Sequence, residues 1–131
     1  MSESEQFRNF FQNAPDSPNR FPVATLTVND LNLLGAKNGT VWLSRISLDQ
    51  HLKSHPEVGF EDYAKISDII QHGDIWRELR PNRFTILGLG YRAALKVVKT
   101  NDDGEIWFLT LFKNTKQKPP KGAVLLRGKA P

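Results

Sequence analysis

At Gly73 the spacing of apolar residues changes, and that change restricts the folds open to this chain more than any other feature. Upstream, apolar side chains recur at intervals of three and four; downstream they recur at two. Such a chain makes helices first and then successive strands joined by short turns. It belongs to the α+β class, not to the alternating order that builds a parallel sheet. The expected architecture is N-terminal helices packed on a four- to five-stranded antiparallel sheet.

The upstream part divides at proline and glycine. Residues 3–13 carry Phe7, Phe10 and Phe11 on one helical stripe, and Pro15, Pro18 and Pro22 then read as a linker. Residues 23–28 read as a short strand, Asn29-Asp30 caps a helical turn over residues 31–34, and Thr40-Val41-Trp42-Leu43 reads as another short strand. Ser44, or Ser47 with Gln50, opens a helix that Pro56 stops, with Leu48, His51, Leu52 and His55 on one stripe. A second helix over residues 60–71 buries Phe60, Tyr63, Ile66, Ile69 and Ile70, places Glu61 and Asp62 at its positive end, and closes at Gly73. The expected units are an N-terminal helix with a Pro-rich linker (1–22), an α+β domain (23–115) and a basic tail (116–131).

Downstream, strands are expected over residues 74–80, 84–89, 91–100 and 105–113. Asn101-Asp102-Asp103-Gly104 suits a type I turn followed by Gly104 at positive φ, a three-residue hairpin loop with a bulge. In that register Lys96 lies across from Thr110, and a slip of one residue would put them on opposite faces. Tyr91, Ala93, Leu95 and Val97 then face the helices together with Trp107, Leu109 and Leu111. The other face shows Arg92, Lys96, Thr110 and Asn114 between Phe108 and Phe112. Cations and aromatic rings on one sheet face suit base stacking and phosphate contact, and they also suit an ordinary half-exposed sheet.

Charge is divided along the chain. Residues 1–75 hold 6 Lys and Arg against 10 Asp and Glu, whereas residues 76–131 hold 12 against 4. A basic half fits a polyanion, because each cation meeting a phosphate releases condensed counterion, and it fits a basic soluble surface equally. Several classes drop out. Cys is absent, which removes disulfide scaffolds, thiol nucleophiles and Cys-ligated zinc. The longest apolar runs, such as Ile106-Trp107-Phe108-Leu109, fall far short of the roughly 20 residues a bilayer requires. Met1-Ser2-Glu3-Ser4-Glu5-Gln6 lacks a basic start followed by an apolar stretch, so no signal peptide and no membrane partner are expected.

Three histidines supply proton chemistry near neutral pH. His51 and His55 stand at metal-ligand spacing, but the residues between them lack the Glu of an H-E-x-x-H site, and no metal is expected. His51 reads as packed within its stripe, His72 as a cap complementing the helix dipole, and His55 as a ring at a helix end able to reach a cleft. Gly88-Leu89-Gly90 reads as a hairpin and not as a nucleotide fingerprint. Glu57, Glu61 and Asp62 have no fixed spacing that would make a glycosidase pair.

Taken in order, Val41-Trp42-Leu43-Ser44, His55-Pro56-Glu57, Asp62-Tyr63 with Ile66, Tyr91-Arg92-Ala93-Ala94-Leu95-Lys96, and Phe108-Leu109-Thr110 with Lys113 form a recognisable series. Over residues 23–115 the chain resembles the phage-associated barnase–EndoU–colicin–RelE-like (BECR fold) nucleases, toxin modules often found behind phage head-morphogenesis domains. The resemblance implies a barnase/RelE-like fold and a metal- and cofactor-independent endoribonuclease acting on tRNA or mRNA in a cytoplasm. It also implies RNA and a cognate immunity protein or antitoxin as partners. Its motif residues fall on His55, Lys96 and Thr110 as the catalytic set. Lys113 stands where the family more often has Arg, a point charge in place of a bidentate fork. Arg92 and Lys99 add candidate RNA contacts.

The chemistry expected from those residues is short. RNA carries its own nucleophile, the 2′-hydroxyl, so the protein supplies proton transfer and positive charge, and the product is a 2′,3′-cyclic phosphate. Strand alternation sets a condition: Lys96 faces away from the helices, so His55 meets it only if its loop wraps a sheet edge or a bulge re-aims a side chain. A non-catalytic RNA-binding or regulatory module, or a phage structural accessory domain, are the competing readings of the same fold.

Overall fold

A computed structural model describes residues 2–100 and 103–128, with backbone alone at 99, 100 and 103. The chain runs α1 (Glu3–Phe11), β1 (Arg20–Thr25), α2 (Val28–Leu34), β2 (Thr40–Ser44), α3 (Arg45–Ser54), α4 (Phe60–Tyr63), α5 (Ile66–His72), β3 (Asp74–Arg77), β4 (Arg83–Gly88), β5 (Tyr91–Thr100), β6 (Asp103–Lys113) and β7 (Val124–Arg127). All strands join one seven-stranded sheet in the order β1-β2-β6-β5-β4-β3-β7. Every pairing is antiparallel except β2 with β6, which is parallel. The α+β class holds. The strand count does not, because β1, β2 and β7 extend the four-strand meander on both sides.

Described residues within the stretches expected as linker and tail join the same sheet and core. Phe10 of α1 is fully buried, and Phe7 and Phe11 pack against Phe21, Phe60 and Tyr63. The phenylalanine stripe therefore serves as core, and the sheet starts at Arg20 inside the presumed linker. At the other end, β7 pairs with β3. Its Arg127 forks between the Asp30 carboxylate at 2.7 Å, the Gly73 carbonyl at 2.7 Å and the Ile70 carbonyl. One guanidinium thus ties β7, α2 and the end of α5 together.

The helix expected over residues 60–71 is interrupted. Asp62 accepts the Gly59 N–H at 2.9 Å and the Tyr91 hydroxyl, which fastens the first turn to β5. Ile66, Ile69 and Ile70 fasten the second turn to the core. Between them Ala64 and Lys65 turn with ψ of −16° and −1°, away from α-helical values. Beyond α5, a Cβ placed on Gly88 would lie 2.8 Å from the Gly73 Cα, so these two glycines let the helix end rest directly on β4. No helix among the described residues is long and apolar enough to cross a membrane.

The β5–β6 register departs from expectation. Lys96 lies opposite Trp107, and Thr110 lies opposite Ala94. Thr100 pairs with Asp103, so Gly104 is inside the strand and the turn residues 101 and 102 lie outside the described residues. Gly104 has a different reason to be glycine: its missing Cβ would stand 3.1 Å from the Ala36 Cα. The ladder also shifts between Ala94 and Leu95, where Leu109 is the extra residue of a β-bulge. Before the bulge Ile106 and Phe108 point into the core; after it Leu111 does. Phe108 is 1% exposed and so is not on the open face as expected. Trp107 lies on that face instead, beside Trp42 of β2 and Lys96 of β5.

Candidate functional site

The site starts where β2 stops. Ser44 ends that strand and caps α3, its Oγ accepting the Ser47 N–H at 3.0 Å. Arg45 then pairs with Asp49 at 2.7 Å and donates to the carbonyls of Phe10 and Phe11, which fixes α3 against the end of α1. β2 pairs with β6 only from Ile106 to Phe108. Beyond that point no strand among the described residues lies beside the β6 edge, and α3 takes the place of one.

His51 makes that substitution possible. It is 5% exposed, and its Nε2 stands 2.7 Å from the Leu111 carbonyl, so Nε2 carries the proton and donates. Burial, reinforced by the neighbouring His55, lowers its pKa against the opposing pull of the Leu111 carbonyl and Glu57. As read from its stripe, His51 is a packed residue.

His55 lies one turn further on, at the C-cap of α3 just before Pro56. Its ring meets Phe112 edge-on at 4.7 Å, and its Nδ1 is 3.2 Å from Glu57 Oε1. Glu57 is held below the usual carboxylate range, first by its own backbone N–H and then by His55. Phe112 belongs to the open face, because the bulge at Leu109 reverses the parity of residues 110–113. The helix end therefore does reach round the edge of the sheet to a residue of the outer face.

Phe112 is also one wall of a concavity of about 430 Å³ on that face. Arg92, Ala94, Thr110 and Asn114 line it, together with Glu78 and Arg80 from the turn after β3. Glu78 is occupied, accepting from the Thr85 hydroxyl at 2.9 Å and from Arg80 at 3.0 Å. No acidic side chain among the described residues stands within ion-pair distance of Arg92. Its guanidinium is available to an anion entering beside Thr110.

The structure therefore gathers Arg92 and Thr110 in one concavity and sets His55 against its Phe112 wall. Lys96 shares the face but stands one step along β5 from Ala94, about 7 Å by strand rise; it lies across from Trp107 and Arg83, not Thr110. Lys113 is on the other side. It pairs with Tyr91 on the helix-facing side and lies 3.7 Å from Asp62. Burial works to raise the Asp62 pKa, but the Tyr91 hydroxyl, the Gly59 N–H and the charges of Lys113 and Lys65 outweigh it and hold the carboxyl low. Tyr91 in turn is pushed up to about 12 by burial and by Asp62. The Lys99 side chain lies outside the described residues.

Glu78 and Arg80 were invisible in the sequence, because only the pairing of β3 with β4 brings that turn over the outer face. No group of three or more His, Asp or Glu side chains among the described residues is arranged to hold a metal ion. Comparison of the chain with protein-family models, with curated proteins and with solved structures found no match. The nuclease resemblance rests on the motifs themselves.

Proposed function

We propose that the outer-face concavity is the site of an endoribonuclease that cleaves RNA through its own 2′-hydroxyl. The observation that carries the reading is Phe112, a single ring that is both a wall of the concavity holding Thr110 and Arg92 and the surface on which His55 rests. In the reaction the 2′-oxygen bonds to phosphorus while the bond to the 5′-oxygen breaks. His55 takes the 2′-hydroxyl proton, and the departing 5′-oxygen takes one from solvent water, leaving a 2′,3′-cyclic phosphate and a 5′-hydroxyl. Thr110 donates to a non-bridging oxygen. Arg92 and Lys96 stabilise the charge that develops on the phosphorane.

The test is incubation of the protein with tRNA and with mRNA in EDTA, followed by mapping of the cut ends. Cyclic phosphate ends, lost in both His55→Ala and Lys96→Ala, are the expected result. Full cleavage by both variants overturns the mechanism. RNA bound without any cut would favour the non-catalytic module.

A further inference from the structure

The outer face carries a second feature, which the corrected register brings to light. Reading across four adjacent strands, Trp42 of β2 lies beside Trp107 of β6, Trp107 beside Lys96 of β5, and Lys96 beside Arg83 of β4. At about 4.8 Å per strand this row is about 14 Å long. Both indoles are partly exposed. From β1, the Arg20 guanidinium lies 3.9 Å from the Trp42 ring centroid and 5.9 Å from that of Trp107. We infer that this row is a stacking platform for single-stranded nucleic acid, leading into the concavity of Arg92 and Thr110.

Three observations support a polyanion with planar rings over other occupants. The row is aromatic at one end and cationic at the other, and among the described residues neither Lys96 nor Arg83 has an acidic side chain in ion-pair distance. Glu105, two residues before Trp107 on β6, is 3.9 Å from Arg20, an exposed pairing that a ligand displaces at little cost. Further across the same face Thr85 and Leu87 are 0% and 4% exposed, so the covered part of the outer face stops short of the tryptophans. An unpaired base offers its flat face to an indole or to the Arg20 plane, whereas a duplex hides its base faces. Lys96, which the proposed reaction uses for charge, stands in the row two residues along β5 from Ala94, which lines the concavity. The platform rests on the nuclease reading for the direction of the strand, but its binding is measurable without cleavage.

The experiment titrates the full chain against a dye-labelled single-stranded oligodeoxynucleotide of about ten residues, which has no 2′-hydroxyl, and follows anisotropy. Trp107→Ala and Trp42→Ala are each expected to weaken binding about 5- to 150-fold, the range of one lost base stack. Trp107→Phe keeps most of the affinity, and Arg20→Ala reports on the platform should an indole variant fail to fold. A blunt duplex of the same sequence binds more weakly than the single strand. Wild-type affinity in the folded tryptophan variants overturns the platform, as does equal, tryptophan-independent binding of inorganic polyphosphate. Tryptophan-dependent binding with no cleavage of RNA would sustain the platform and sink the catalytic reading. Cleavage that is indifferent to the tryptophans would do the reverse.

Discussion

The two halves of β6 follow different rules. From Ile106 to Phe108 the strand has a partner on each side, β2 and β5, and its inward side chains are sealed in the core. From Thr110 to Lys113 only β5 remains, and the other edge is closed by a histidine from α3 and preceded by a bulge. The first half is uniform and holds the fold. The second half is irregular, and the groups suited to chemistry collect around it. An edge left open by a short neighbouring strand requires some other group to satisfy its backbone, and here that group brings a helix end to the outer face.

The contrast is open to direct attack. Phe108→Ala is expected to lower the unfolding free energy by about 3–5 kcal/mol, against less than about 1 kcal/mol for Phe112→Ala by the same urea titration. Equal losses would erase the distinction. Next, under the proposed reaction, His55→Ala is expected to reduce the rate of RNA cleavage by about 10²–10⁴-fold, with an unfolding midpoint close to that of the parent protein. A large fall in the midpoint would return His55 to the structural half.

How far these halves were legible differs for definite reasons. The order of helices and strands came through, because the change of period at Gly73 reflects a change in what the side chains pack against. Ser44 as a cap and Pro56 as a stop came through, because capping and the missing N–H act locally. The bulge did not. Ile106-Trp107-Phe108-Leu109-Thr110-Leu111-Phe112 is all strand-forming, and no glycine marks the irregular position. Alternation is then right after Leu109 and wrong before it, which is why Thr110 and Phe112 were placed correctly and Phe108 and Trp107 exchanged. β7 was lost because four residues behind two prolines give too short a pattern. His55 was legible only as a ring at a helix end; its approach to the outer face depends on where β2 stops.

Smaller effects sharpen the same comparison. His51→Ala leaves the Leu111 carbonyl buried without its donor and is expected to cost about 1–3 kcal/mol, with His51→Gln recovering part of it. Smaller still is a pH effect. Burial depresses the folded pKa of His51, so the unfolded chain takes up its proton first. That contribution is intact above about pH 6.5, the ordinary value for the group, and declines as pH falls below it. Denaturation midpoints measured between pH 5 and 7 should rise with pH, and more steeply for the parent than for His51→Gln. Equal slopes would mean that the edge histidine is not buried as described.

The Arg127 fork has a consequence for the order in which a ribosome delivers this molecule. Gly73 leaves the tunnel 54 residues before the guanidinium that occupies its carbonyl. At about 5–20 residues per second the wait is on the order of seconds. When that interval opens only β1 and β2 have emerged; β3 to β6 follow during it, and β7 comes last with the group that fastens it.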